Sequence, residues 1–108
     1  MKKRKSRIAA LIAAALLVLL LAGCATVGRD FPVDPVGQIK IGTTTKTDIK
    51  KMFGNPWRTG IEDGQTTWTY GYYKYRMIGE STTRDLVVRY DAGGQVTSYS
   101  FNTSEIEE

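Results

Sequence analysis

Few residues in this 108-residue chain could do chemistry, and the first to weigh is Cys24, the only cysteine. It sits in LLAGCATVG, and its thiol could be a buried packing group, a nucleophile or an attachment point. There is no histidine anywhere, so His-dependent triads and zinc sites that need imidazole have no ligands to draw on. The adjacent acids Glu62-Asp63 precede Gly64, where acids are ordinary turn formers. Serines and lysines occur at no spacing that suggests a Ser-Lys pair. The inventory therefore predicts no catalytic residues and no metal site. What remains is Cys24 and a cluster of aromatic and cationic side chains further along.

The residues before Cys24 bear on its role. MKKRKSR carries five cations in seven residues, and Ile8 to Ala22 contains only Ile, Ala, Leu and Val. A basic start, an apolar core of ~7–15 residues and small residues at the exit describe a secretory signal peptide. The run is shorter than the ~20 residues needed to cross a bilayer core. Leu21-Ala22-Gly23-Cys24 resembles the bacterial lipobox. That resemblance implies cleavage before Cys24, a diacylglycerol on its sulfur and an N-acyl chain such as palmitate on its new amino group. No other cofactor is expected. Two or more chains hold a protein stably on a membrane, where one is marginal.

Without residues 1–23 the mature part has 85 residues, ten cations and eleven acids, a net charge of −1 where the full chain has +4. The basic balance thus belongs to the targeting segment, and the footprint of a nucleic-acid binder is missing from the rest. We divide the chain into a cleaved signal peptide (1–23), a lipidated N-terminus and flexible leash (24–33), one folded domain (34–102) and an acidic tail (103–108).

Within the domain, Asp34-Pro35 predicts a helix start, with Asp34 at the N-cap, Val36, Ile39 and Ile41 buried and Gly42 as the stop. The second helix is better marked. Thr45 can cap it while Asp48 reaches back; Ile49, Met52 and Phe53 form one apolar stripe; Gly54 and Pro56 end it. Lys46, Lys50 and Lys51 fall on the opposite side, as a solvated face or as contacts for an anionic phospholipid or acidic partner.

The period then changes to two. TTWTYGYYKYR puts Trp68, Tyr70 and Tyr72 on one face and Thr67, Thr69, Gly71, Tyr73 and Tyr75 on the other. RDLVVRY turns Leu86, Val88 and Tyr90 inward. DAGG makes a turn. QVTSYSF follows, where Val96 cannot share a face with Tyr99 and Phe101 without a bulge or a loosely covered edge. The expected fold is α+β, two short helices packed on one face of a three-stranded antiparallel meander. Tyr73 and Tyr75, with Arg76 nearby, are left on the uncovered face. They could form an aromatic ladder against Val87 and Arg89, or a partner-binding surface of the residue types enriched at hot spots.

The run IKIGTTTKTDIKKMFGNPWRTG, with TTWTYGYYK, DLVVRYDAGGQV and YSF after it, resembles the BamE/SmpA/OmlA lipoprotein family. The shared features are a glycine before a Thr-started helix, a Phe-Gly-x-Pro exit, an aromatic strand and a Gly-x-Val turn. The resemblance implies a fold similar to the β-lactamase-inhibitor protein and an outer-membrane lipoprotein facing the periplasm. It also implies a non-catalytic accessory subunit, a partner of the machinery that inserts β-barrel proteins. The alternative within the same fold is an envelope-stress or inhibitor-type lipoprotein that binds another periplasmic protein. The candidate binding residues are Tyr73, Tyr75, Arg76, Lys46 and Lys50, with Cys24 as the lipidation site.

Overall fold

A long β-strand has two edges to satisfy, and the arrangement of the domain follows from how those of Gln65–Arg76 are paired. The computed structural model describes residues 2–21 and 24–105. Ala22, Gly23 and residues 106–108 therefore fall outside the described part, with the expected cleavage site and the end of the acidic tail. Helix α1 (Lys2–Leu21) keeps its described side chains in solvent, including Leu11 and Leu17, so its apolar surface is not spent on the domain. Among the described residues no helix is long and apolar enough to cross a membrane.

The sheet is antiparallel and has five strands, β1 (Cys24–Gly28), β2 (Arg58–Glu62), β3 (Gln65–Arg76), β4 (Thr82–Tyr90) and β5 (Val96–Thr103). β4 and β5 follow β3 as the expected meander. The other edge of β3 is shared, with β2 pairing residues 65–69 and β1 pairing residues 72–76. The three-stranded sheet is thus corrected to five strands, and the leash read over residues 24–33 begins as a strand and continues into Phe31, which is 6% exposed. Neither added strand carries the burial signal that marks a strand in sequence. Every residue of β2 is exposed, and Ala25 to Val27 of β1 are exposed too. Both are held by backbone hydrogen bonds to an edge that would otherwise stay unpaired.

The first helix is shorter than expected. Asp34–Gln38 forms one 3-10 segment with Val33, not Asp34, in the N-cap position and no side-chain cap. Pro35 and Gly37 leave few residues able to sustain an α-helix. Ile39 is already extended and buried, whereas Ile41 is 60% exposed, which corrects its assignment to the core. The chain instead turns at Lys40, whose N–H donates to the Thr44 hydroxyl at 2.8 Å.

Helix α2 (Lys46–Phe53) matches its sequence signals. Thr45 Oγ1 accepts from the Asp48 N–H at 3.2 Å, and Asp48 accepts from the Thr45 N–H at 3.0 Å. Those bonds hold the Asp48 carboxyl below its ordinary value, the Thr45 backbone bond first. Gly54 closes the helix at φ 83°.

Ile49 and Phe53 pack with Phe31, Tyr70, Leu86, Val88, Tyr90 and Val96 to form the core between helices and sheet. Phe31, Phe53 and Tyr70 are mutually edge-on or tilted, with centroids 5.5–6.4 Å apart. The Tyr70 hydroxyl donates to the Gly54 carbonyl at 2.8 Å. The bulge expected near Val96 is present: Arg89 pairs with Ser98 but Tyr90 with Val96, leaving Thr97 as the extra residue.

Candidate functional site

Alternation along β3 and its registers define the face of the sheet turned away from the core. Tyr73 lies opposite Val27 of β1 and Thr83 of β4, and Tyr75 lies opposite Ala25. Val87 and Arg89 pair with Thr69 and Thr67, so the ladder expected between them and Tyr73–Tyr75 does not form. Arg89 instead pairs with Glu62 at 3.2 Å, and that acid of the Glu62-Asp63 pair is engaged structurally.

The centre of this face is a feature that sequence reasoning passed over. Trp57, just before β2, lays its ring over Gly71. A Cβ at Gly71 would meet two Trp57 ring carbons at 3.0 Å and the Tyr73 ring at 2.8 Å. Only glycine lets the two aromatics approach, and they do so at 6.1 Å between centroids. The Arg58 guanidinium lies over the Trp57 ring, 4.2 Å from its centroid, a cation–π geometry. A row Arg58–Trp57–Tyr73 results, with Tyr75 continuing it at 49% exposure. The Tyr73 hydroxyl is pushed to a higher pKa, by burial first and then by Asp85 and Tyr75, with Arg58 opposing. A glycine in the middle of an aromatic strand was the available signal, since it marks close approach by another group.

The row is fixed from beneath by the division of the β3 edge. Between the two short strands the Trp57 N–H donates to the Thr69 carbonyl and the Arg29 N–H to the Gly71 carbonyl, both at 2.9 Å. Gly28, at φ 82°, brings its Cα so near that a Cβ would lie 2.1 Å from the Gly71 oxygen. A cleft of about 220 Å³ opens at this notch, with Phe31, Phe53 and Tyr70 as its floor and Arg29, Asp30 and Asn55 among its polar groups.

The other expected residues lie elsewhere. Arg76 is exposed at the end of β3, where its N–H donates to the Ser81 hydroxyl at 3.2 Å. Lys50 is exposed on α2, and Lys46 sits with Nζ 5.5 Å above the Tyr90 ring beside the Gly94 turn. Tyr90 pairs with Thr66 at the start of β3. Lys46 is therefore separated from Arg76 by about 30 Å of strand at ~3.3 Å per residue, and α2 covers the other face. The structure does not bring the five expected binding residues together. Cys24 begins β1, its backbone paired with Arg76. Among the described residues no three His, Cys, Asp or Glu side chains are grouped as metal ligands.

A small α+β domain with a fixed aromatic–cationic face is suited to recognition. Comparison with family models matches residues 32–100 to the outer membrane protein assembly factor BamE domain, and the chain belongs to that family. No curated protein and no solved structure gives a match. Membership connects the domain with outer-membrane protein assembly and its machinery in general.

Proposed function

We propose that the mature protein is a lipid-anchored, non-catalytic accessory subunit in the insertion of β-barrel proteins into the outer membrane. It faces the periplasm and acts by binding another protein of that machinery. Its only non-protein groups are the diacylglycerol and N-acyl chain on Cys24. The observation that carries the reading is the family match across 69 residues, 32–100, which spans the row-bearing part of the sheet. The row Arg58–Trp57–Tyr73–Tyr75 supplies the contact surface. Trp, Tyr and Arg dominate binding energy when held rigid and desolvated, and here Gly71 and the edge bonds hold them without a partner's help. Lys46 and Lys50, on the opposite side, serve as contacts for an acidic protein partner.

The test is co-purification of the tagged full chain from gently solubilised envelopes. Barrel-assembly subunits should be recovered, and recovery should fall several-fold in Arg58→Ala plus Tyr75→Ala with the melting temperature nearly unchanged. Recovery of an unrelated periplasmic protein would support the envelope-stress alternative. Undiminished recovery of assembly subunits by the double variant would remove this face from the interface.

A further inference from the structure

β1 begins at Cys24, with no linker between the residue expected to carry the acyl chains and the sheet. Its first rung pairs Cys24 with Arg76, the last residue of β3. Beyond that rung the chain makes the β3–β4 connection, Met77 to Ser81, and returns as Thr82. The mature N-terminus and this hairpin tip therefore project from the same end of the sheet. At this tip Met77 is 77% and Ile78 92% exposed, and Gly79, Glu80 and Ser81, which complete the connection, are exposed as well. Tyr75 is half-exposed beside it, and Lys74 and Arg76 flank it along β3. Apolar residues so exposed on a small domain mark a contact surface more often when grouped than when scattered, and these two are consecutive at an apex.

We propose that Met77 and Ile78 enter the same membrane leaflet that holds the acyl chains of Cys24, which makes the domain stand end-on at a fixed orientation. This rests on the lipidation of Cys24 proposed above. The dimensions agree. Two residues past the Cys24–Arg76 rung reach ~7 Å at ~3.3 Å per residue, within the ~5–10 Å to which interfacial apolar groups sink. Lys74 and Arg76 then lie at headgroup level, where long cationic side chains reach lipid phosphates. The Asp91–Gly94 turn, at the other end of the sheet, points into the aqueous phase.

The experiment uses the full chain, expressed and processed in cells, because its native cysteine is consumed by acylation. Ile78→Cys and Ala92→Cys are each labelled with an environment-sensitive fluorophore and reconstituted in phosphatidylcholine vesicles carrying nitroxide lipids. Both sites are exposed, so folding is preserved and is checked by circular dichroism. The result expected is an acylated mass, with quenching several-fold stronger and emission bluer at position 78 than at 92. Equal quenching at the two ends in a chain of acylated mass overturns the seated tip while leaving the anchor intact. An unmodified sulfhydryl on Cys24 overturns the anchor, and the seated tip with it.

Discussion

Replacing Gly28 by alanine perturbs a single contact whose cost can be worked from the geometry. The new Cβ would lie 2.1 Å from the Gly71 carbonyl oxygen and 2.9 Å from its carbon. Both are backbone atoms of the central strand, so no rotamer change relieves the overlap. The residue must also hold φ near 82°, a region that costs a non-glycine residue about 1–3 kcal/mol. If β1 moves away, the Arg29-to-Gly71 bond is lost as well, about 0.5–1.5 kcal/mol net. The total is about 1.5–4.5 kcal/mol, with a ceiling, because beyond that the edge strand detaches and the rest of the sheet remains. For a domain of this size about 1 kcal/mol corresponds to ~4–8 °C in Tm. Gly42→Ala is the control, since Gly42 has φ 85° but open space around it and so bears only the conformational cost. The assay pairs thermal unfolding with amide hydrogen exchange. Gly28→Ala should lower Tm more than Gly42→Ala and should expose the amides of 24–28 and 72–76, leaving β4–β5 protected. Equal Tm losses with undisturbed protection in β1 would refute the close approach and the β1 pairing with it.

Four further outcomes are expected. Thr45→Ala removes the hydroxyl that caps α2 and should cost about 1 kcal/mol, read as a drop in urea midpoint with an unchanged slope. The native carboxyl of Asp48 is lowered below 3.8; its stabilising contribution is therefore complete at neutral pH and is lost as pH falls through that lowered value. An acid titration of stability in wild type and Asp48→Asn should converge at low pH. Burial pushes Tyr70 up to about 12 and raises Tyr90 further, so the folded state holds those protons above pH 10 where the unfolded chain releases them. Stability is full below pH 10 and should fall as pH rises beyond it, and phenolate absorbance should show these two among the six tyrosines ionising only on unfolding. Phe53→Ala opens the core between Phe31 and Tyr70 and should cost about 3–5 kcal/mol, enough to leave little folded material at 37 °C; retention of a wild-type melt would place Phe53 outside the core.

Local rules were sufficient wherever a signal is carried by neighbours in the chain. Thr45 and Asp48 lie three residues apart and complete each other's bonds in any helix they begin, so α2 was legible before folding. Period-two alternation placed Tyr70, Leu86, Val88 and Tyr90 in the core, and the phase break at Val96 called for a bulge or a loosely covered edge, of which the structure has the bulge, leaving Thr97 unpaired. The proposed lipid anchor at Cys24 rests on the basic and apolar residues before it, a pattern contiguous in the chain. Tertiary structure decided the rest. β1 and β2 expose nearly every side chain, so their sequences carry no burial period; β2 folds back on β3 through the Asp63-Gly64 turn, whereas β1 is a strand because the rest of that β3 edge takes up backbone from a distant segment. The hairpin brings Trp57 onto Gly71, and the long-range pairing of β1 sets Cys24 beside the β3–β4 tip, 52 positions from its partner Arg76, which no local pattern encodes. The fold also separates Lys46 from Arg76, which share charge but not a face. A sequence states what each residue prefers nearby, and only chain closure states which distant edges remain to be filled.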